Sequence, residues 1–116
     1  MARIKEIPWW EWLPFRNWRI VRIVDAADEI PERLPPKGAI MVGPKKNPKW
    51  IAFDCPCRTG HRILLNTDRA RLPYWMVTMK GGLTISPSVD SFEGKRQCHY
   101  FIRKGRVVWA NERGMR

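Results

Sequence analysis

Cys55-Pro56-Cys57, His61 and the distant Cys98 restrict this chain more than any other feature. Together they offer three thiolates and one imidazole, the donor set and number of a closed, structural tetrahedral zinc site. Pro56 and Gly60 suit a tight loop that aims side chains inward. The alternative is a set of buried free thiols packed as small apolar side chains. The chain has 3 Cys and 2 His. His99, one residue past Cys98, is therefore the imidazole left over. Successive strand side chains point to opposite faces, so a strand with Cys98 on the metal turns His99 away and favours His61 as fourth ligand. If Cys98 lies in a turn instead, His99 competes for that place.

A chain of 116 residues makes one domain, residues 1–116, with a modest core in which a metal clamp matters. Hydrophobic residues are 44%, with 7 Trp, so the chain folds. The net charge is +11 and the pI about 10.3, compatible with nucleic acid, an acidic protein or an anionic surface. Lys and Arg are scattered without a long basic run, which weakens a nucleic-acid footprint. No apolar run approaches the roughly 20 residues of a membrane span. The N-terminal residues lack an apolar signal region, so a cytoplasmic location with reduced thiols is expected.

Along the chain the pattern is mostly β, a β-rich α+β domain of short strands and hairpins around the metal site. Residues 1–17 form an aromatic N-terminal segment holding Trp9, Trp10, Trp12 and Phe15. Docking of these rings on the core is the expectation, with an exposed partner platform as the rival. Residues 18–24 are rich in β-branched side chains and predict a strand, followed by a minor helix over 26–30. Further strands are predicted over 39–42, 50–53, 61–65, 74–79 and 83–85. The 50–53 and 61–65 pair reads as a hairpin with the Cys-Pro-Cys turn at its tip. Pro87 should stop the strand that begins at 83, because proline cannot donate to a ladder. Residues 99–103 and 106–109 predict a hairpin about Lys104-Gly105. The tail from 111 to 116 is expected to fray.

The serines, Ser86, Ser88 and Ser91, fall in one short stretch. Ser88 follows Pro87 at a predicted strand end, where a turn can present its hydroxyl. Hydrolytic chemistry needs such a hydroxyl beside a base, and His99 is the imidazole free for that role. On the residues alone, an ordinary Ser-Pro-Ser turn and a half-buried strand histidine explain the same pattern. An orienting carboxylate is equally open among Asp54, Asp68 and Asp90.

From residue 50 to 110 the pattern is more particular. Trp50, Phe53, Cys55-Pro56-Cys57, Gly60-His61, Leu64, Asn66, Trp75, Ile85, Pro87-Ser88-Val89, Cys98-His99-Tyr100-Phe101-Ile102, Gly105 and Trp109 stand in order. This resembles a small bacterial zinc-cysteine family, domain of unknown function 6527, often encoded with ubiquitin-like conjugation components. The resemblance implies a zinc-bearing serine peptidase that processes or removes a ubiquitin-like modifier. The family's Cys-Pro-Cys falls on Cys55 and Cys57, its Pro-Ser on Pro87 and Ser88, and its His before an aromatic pair on His99. Many members carry a further cysteine where Thr59 stands and another where Arg96 stands. The resemblance then leaves His61 to take over as ligand.

The expectation is a zinc-stabilised serine hydrolase with Ser88 as nucleophile and His99 as base. Its metal site is Cys55, Cys57, His61 and Cys98, and its core is residues 50–110. Its partner is a ubiquitin-like protein or a conjugation-pathway enzyme. The rival expectations are a non-catalytic basic zinc module that binds nucleic acid and an adaptor in a conjugation complex.

Overall fold

The computed structural model describes residues 7–57, 60–93 and 95–110. Its strands are β1 (Arg19–Val24), β2 (Gly38–Val42), β3 (Trp50–Asp54), β4 (Arg62–Asn66), β5 (Met76–Thr78), β6 (Thr84–Glu93), β7 (Arg96–Arg103) and β8 (Arg106–Trp109). They form two four-stranded sheets in the orders β1-β2-β3-β4 and β5-β6-β7-β8. β1 runs parallel to β2 and every other pairing is antiparallel. The fold is mostly β. Among the described residues, helix is limited to 3-10 turns at Trp9–Trp12 and Ala27–Glu29, the second standing where the minor helix is predicted. None of the helical segments is long and apolar enough to cross a membrane.

Period-two patterning builds the core. In β7, Cys98, Tyr100 and Ile102 are fully buried, while His99 and Phe101 alternate with them on the other face. β4 alternates in the same way, with Ile63 and Leu65 buried and Leu64 46% exposed. Side chains from the two sheets meet in one cluster. Trp18, Met41, Ile51, Phe53 and Leu65 come from the first sheet and the residue before it, and Leu83, Ile85, Val89, Tyr100 and Ile102 from the second sheet and its flank. Trp18 meets Phe53 edge to face, with ring centroids 5.5 Å apart. The first sheet is also covered outside, where Leu34, Ile30 and Ile7 pack with Ile40, Val42 and Ala52. That double burial explains why every residue of β2 is buried. Among the described residues the outer face of the second sheet has no such cover, and Phe92 and Val108 stay 63% and 43% exposed.

The two places where the strands depart from expectation share a cause. β6 does not stop at Pro87 but continues to Glu93. Its register against β7 shifts between Ile85 and Val89, an irregularity that contains Pro87 and the cis Ser86–Pro87 peptide. A proline inside a bulge removes no ladder hydrogen bond, so the strand passes through it. β7 then begins three residues earlier than 99, because β6 supplies it with a longer partner. The aromatic segment also differs. Trp9, Trp10 and Phe15 are 73%, 48% and 78% exposed and do not enter the core. Pro8 and Pro14 break the segment, which leaves it short of any period that would turn the rings to one side. The tail from 111 to 116 lies outside the described residues.

Gly82 marks the tightest backbone approach. Its φ is +114° and a Cβ there would stand 2.5 Å from the Lys104 carbonyl carbon. Core burial should decide mutational cost. Ile51→Ala is expected to destabilise the fold by about 2–5 kcal/mol. Leu64→Ala, on the neighbouring strand but half exposed, should cost no more than about 0.5 kcal/mol. Denaturant midpoints of the two variants measure the difference.

Candidate active site and metal centre

The turn between β3 and β4 carries Cys55, Cys57 and His61, and β7 carries Cys98 from the opposite sheet. One ligand atom from each of the four lies within 4.8 Å of all the others, a group that could hold a metal ion. Cys57 Sγ is 3.4 Å from His61 Nδ1. Tetrahedral ligands on a zinc-sized cation stand about 3.6–3.8 Å apart, so the cluster is compact enough to gather around such an ion. The Cys55 N–H donates to the His61 carbonyl (2.8 Å) and the Gly60 N–H to the Cys57 carbonyl (3.2 Å), which closes the turn. Thr59, where relatives of the resembled family carry a cysteine, lies outside the described residues.

Two side chains around the cluster were not foreseen from the sequence. His61 Nε2 lies 3.2 Å from Ser91 Oγ, a contact that orients the ring with Nδ1 toward the cysteines. The Tyr100 hydroxyl donates to Cys55 Sγ at 3.4 Å, and burial pushes that phenol far above its ordinary range. Both were legible in principle. Tyr100 stands two residues past Cys98 on the same strand face, and Ser91 is its cross-strand neighbour through the Ser91–Cys98 register.

Burial also pushes the Cys55 thiol up, and Cys98, fully buried beside the other two thiols, is pushed up to about 12. Three sulfurs this close cannot all shed protons unless a cation replaces the charge.

On the outer face of the second sheet, Ser88 Oγ lies 2.8 Å from His99 Nε2. The alternation of β7 separates the two histidines. Cys98 points inward to the cluster, while the next side chain, His99, points outward to Ser88. His61, not His99, joins the cysteines. Ser88 sits where the irregularity of β6 ends, a place at which a bulge re-aims a side chain. Its carbonyl accepts the Trp75 indole N–H at 3.0 Å, and the His99 carbonyl accepts the Ala110 N–H at 3.0 Å. Both members of the pair are therefore anchored through their backbones. Trp75 was missed as a positioning residue, since nothing local links it to Ser88. Phe101 lies beside the His99 ring, with centroids 6.3 Å apart.

Among the described residues no carboxylate is hydrogen-bonded to His99. Asp54 pairs with Arg62 (2.8 Å), Asp68 with Lys49 (3.3 Å), and Asp90 accepts from Gln97 (2.9 Å). The pair is a dyad as described.

Serine and imidazole at hydrogen-bond distance are the equipment of acyl-transfer hydrolysis, and a known family carries that chemistry in its description. Residues 26–110 match the family model of a bacterial ubiquitination-like system serine protease. The chain belongs to that family, BubE, and the matched stretch includes all six candidate residues while leaving out the aromatic segment before residue 18. No curated protein and no solved structure matches the chain.

Removing metal should expose the cost of the thiol cluster. Chelation is expected to lower the melting temperature by more than about 10 °C, the shift that several kcal/mol produces in a small domain. The metal-free protein holds Cys98 at about 12, above an unfolded thiol. Its stability should then be complete below about pH 8.5 and fall as pH rises beyond it. The metal-loaded protein should show the opposite sign, losing stability in acid as protons compete for sulfur. Melting curves across pH, with and without chelator, read both.

Proposed function

We propose that this chain is a zinc-stabilised serine peptidase that cleaves at the C-terminal region of a bacterial ubiquitin-like modifier, in a precursor or a conjugate. The observation that carries this reading is the 2.8 Å contact between Ser88 Oγ and His99 Nε2, within a chain of the BubE family. Ser88 is the nucleophile. Its oxygen bonds to the substrate carbonyl carbon while its proton passes to His99 Nε2. His99 returns that proton to the leaving group as the bond to it breaks, leaving the modifier esterified to Ser88. Water, deprotonated by His99, then attacks the ester, and the proton goes back to Ser88 as the modifier departs.

The metal in this reading is structural. Cys55, Cys57, Cys98 and His61 would hold it, and four protein ligands would leave no position for substrate. Its contribution is to hold Cys98, and so the backbone of His99, against the turn of the opposite sheet.

The surroundings favour a protein substrate over a small one. Ser88 and His99 lie on an open sheet face, and neither lines the concavities of about 650 and 380 Å³ found elsewhere on the described residues. A chain with a net charge of +11 steers acidic partners toward it. Reduced thiols and a ubiquitin-like pathway fit action in the cytoplasm.

A fluorophosphonate probe should label Ser88 in the intact protein. Ser88→Ala should abolish labelling, and His99→Ala should slow it by about 10²–10⁴-fold. The same substitutions should stop cleavage of modifier fusions without lowering the melting temperature by more than a few degrees. Undiminished cleavage in both variants would sink the reading.

A further inference from the structure

The hydrogen-bond phase of the second sheet decides which way the β6 backbone faces. The Ala110 N–H donates to the His99 carbonyl, so His99 turns its main-chain groups toward β8. In an antiparallel strand both groups of one residue face the same neighbour, and successive residues alternate. Cys98 and Tyr100 therefore face β6, where their register partners are Ser91 and Val89. Asp90 and Phe92 must then direct their N–H and C=O groups away from β7. The hairpin end agrees, since Glu93 is in register with Arg96 and shares the phase of Ser91 and Val89.

Among the described residues, no strand receives those outward groups. β5 pairs with β6 only from Thr84 to Ser86. Beyond it the Trp75 indole reaches in from the same side and bonds the Ser88 carbonyl, which is the outward phase expected for Ser88. Among the described residues nothing further bonds the main-chain groups of Asp90 and Phe92. The strand thus offers an open edge that begins beside Ser88 and runs toward the hairpin end. An open edge of this kind is a template for an added strand.

We propose that this edge, residues 89–92, receives an extended segment of the protein substrate as an added strand. The proposal rests on the reading of Ser88 as nucleophile and deepens it. The segment exchanges backbone hydrogen bonds with Asp90 and Phe92. It cannot continue in the sheet plane at Ser88, because the Trp75 side chain occupies that position. There it lifts onto the outer face, which brings its next carbonyl over Ser88 Oγ. Phe92 and Met76, 63% and 45% exposed, offer apolar contact at either end of the path. Recognition is then of an unfolded, proline-free tail by its backbone, and a folded loop or a helix is excluded by shape.

Peptidyl fluorophosphonates of increasing length, set against a simple ethyl fluorophosphonate, test this on the intact chain. The labelling rate at Ser88 should rise by about tenfold or more from the ethyl to the tetrapeptidyl probe, the gain that two backbone hydrogen bonds allow. N-methylation of the alternate probe amides that face β6 should remove the gain, and this arm needs no protein variant. Asp90→Pro deletes an outward N–H and no ladder bond. It should abolish the length dependence and keep the ethyl rate, while Asp90→Ala keeps both. Equal rates for short and long probes would leave Ser88 reactive and overturn the edge proposal alone. Failure of every probe to label Ser88 would overturn the nucleophile reading and this proposal with it. A dimer in sedimentation that Asp90→Pro dissolves, with no length dependence, would assign the edge to a second copy and overturn the proposal too.

Discussion

The pairing of β6 with β7 is the constraint on which both sites depend. Its register sets Ser91 opposite Cys98, Asp90 opposite His99, and Val89 opposite Tyr100. Because side chains alternate, one two-residue step along β7 passes from the inner cluster to the outer face and back. A slip of one residue would carry Cys98 out of the cluster and His99 into the core. The same register fixes which backbone groups of β6 remain outside the ladder. Ligand geometry, the serine–histidine contact and the open edge are three readings of a single pairing.

The cysteine cluster spans the two sheets beneath that pairing. Three of its donors come from a turn of the first sheet and the fourth from the middle of the second. A small sandwich has limited core to hold its sheets in one alignment, and a cation bound across them would add to it. Tyr100, buried between Cys55 and Trp109, packs the space between the cluster and β8. The proposed catalytic pair therefore sits on the far side of a wall that is well ordered by burial. Its own face is open, a layout that suits a substrate which brings a flexible tail to a rigid surface.

Much of this was legible in the residues. The cluster of Cys55, Cys57, His61 and Cys98 follows from donor type and the scarcity of other ligands. The placement of Cys98 and His99 on opposite faces follows from strand alternation. The mostly β fold follows from short β-branched runs and proline-rich turns. What failed to show did so for physical reasons. Pro87 reads as a strand terminator, because a sequence does not say whether a proline falls in a ladder or in a bulge. The exposure of Trp9, Trp10 and Phe15 runs against their hydrophobicity, and only the tertiary structure shows that they stay outside the core. Trp75 is remote from Ser88 along the chain, and its indole bond depends on β5 ending where it does.

The sequence by itself determined the chemistry on offer: three thiols, two imidazoles, one serine-rich stretch, and the period that sends neighbours to opposite faces. These are properties of residue types and of local backbone, and they need no knowledge of what lies across the fold. The tertiary structure decided adjacency. It brought Cys98 to a turn in the other sheet, set Ser88 within 2.8 Å of His99, and left Asp90 and Phe92 facing outward. Each of these depends on the register between distant strands, which is set by the sum of many buried contacts and not by any one residue.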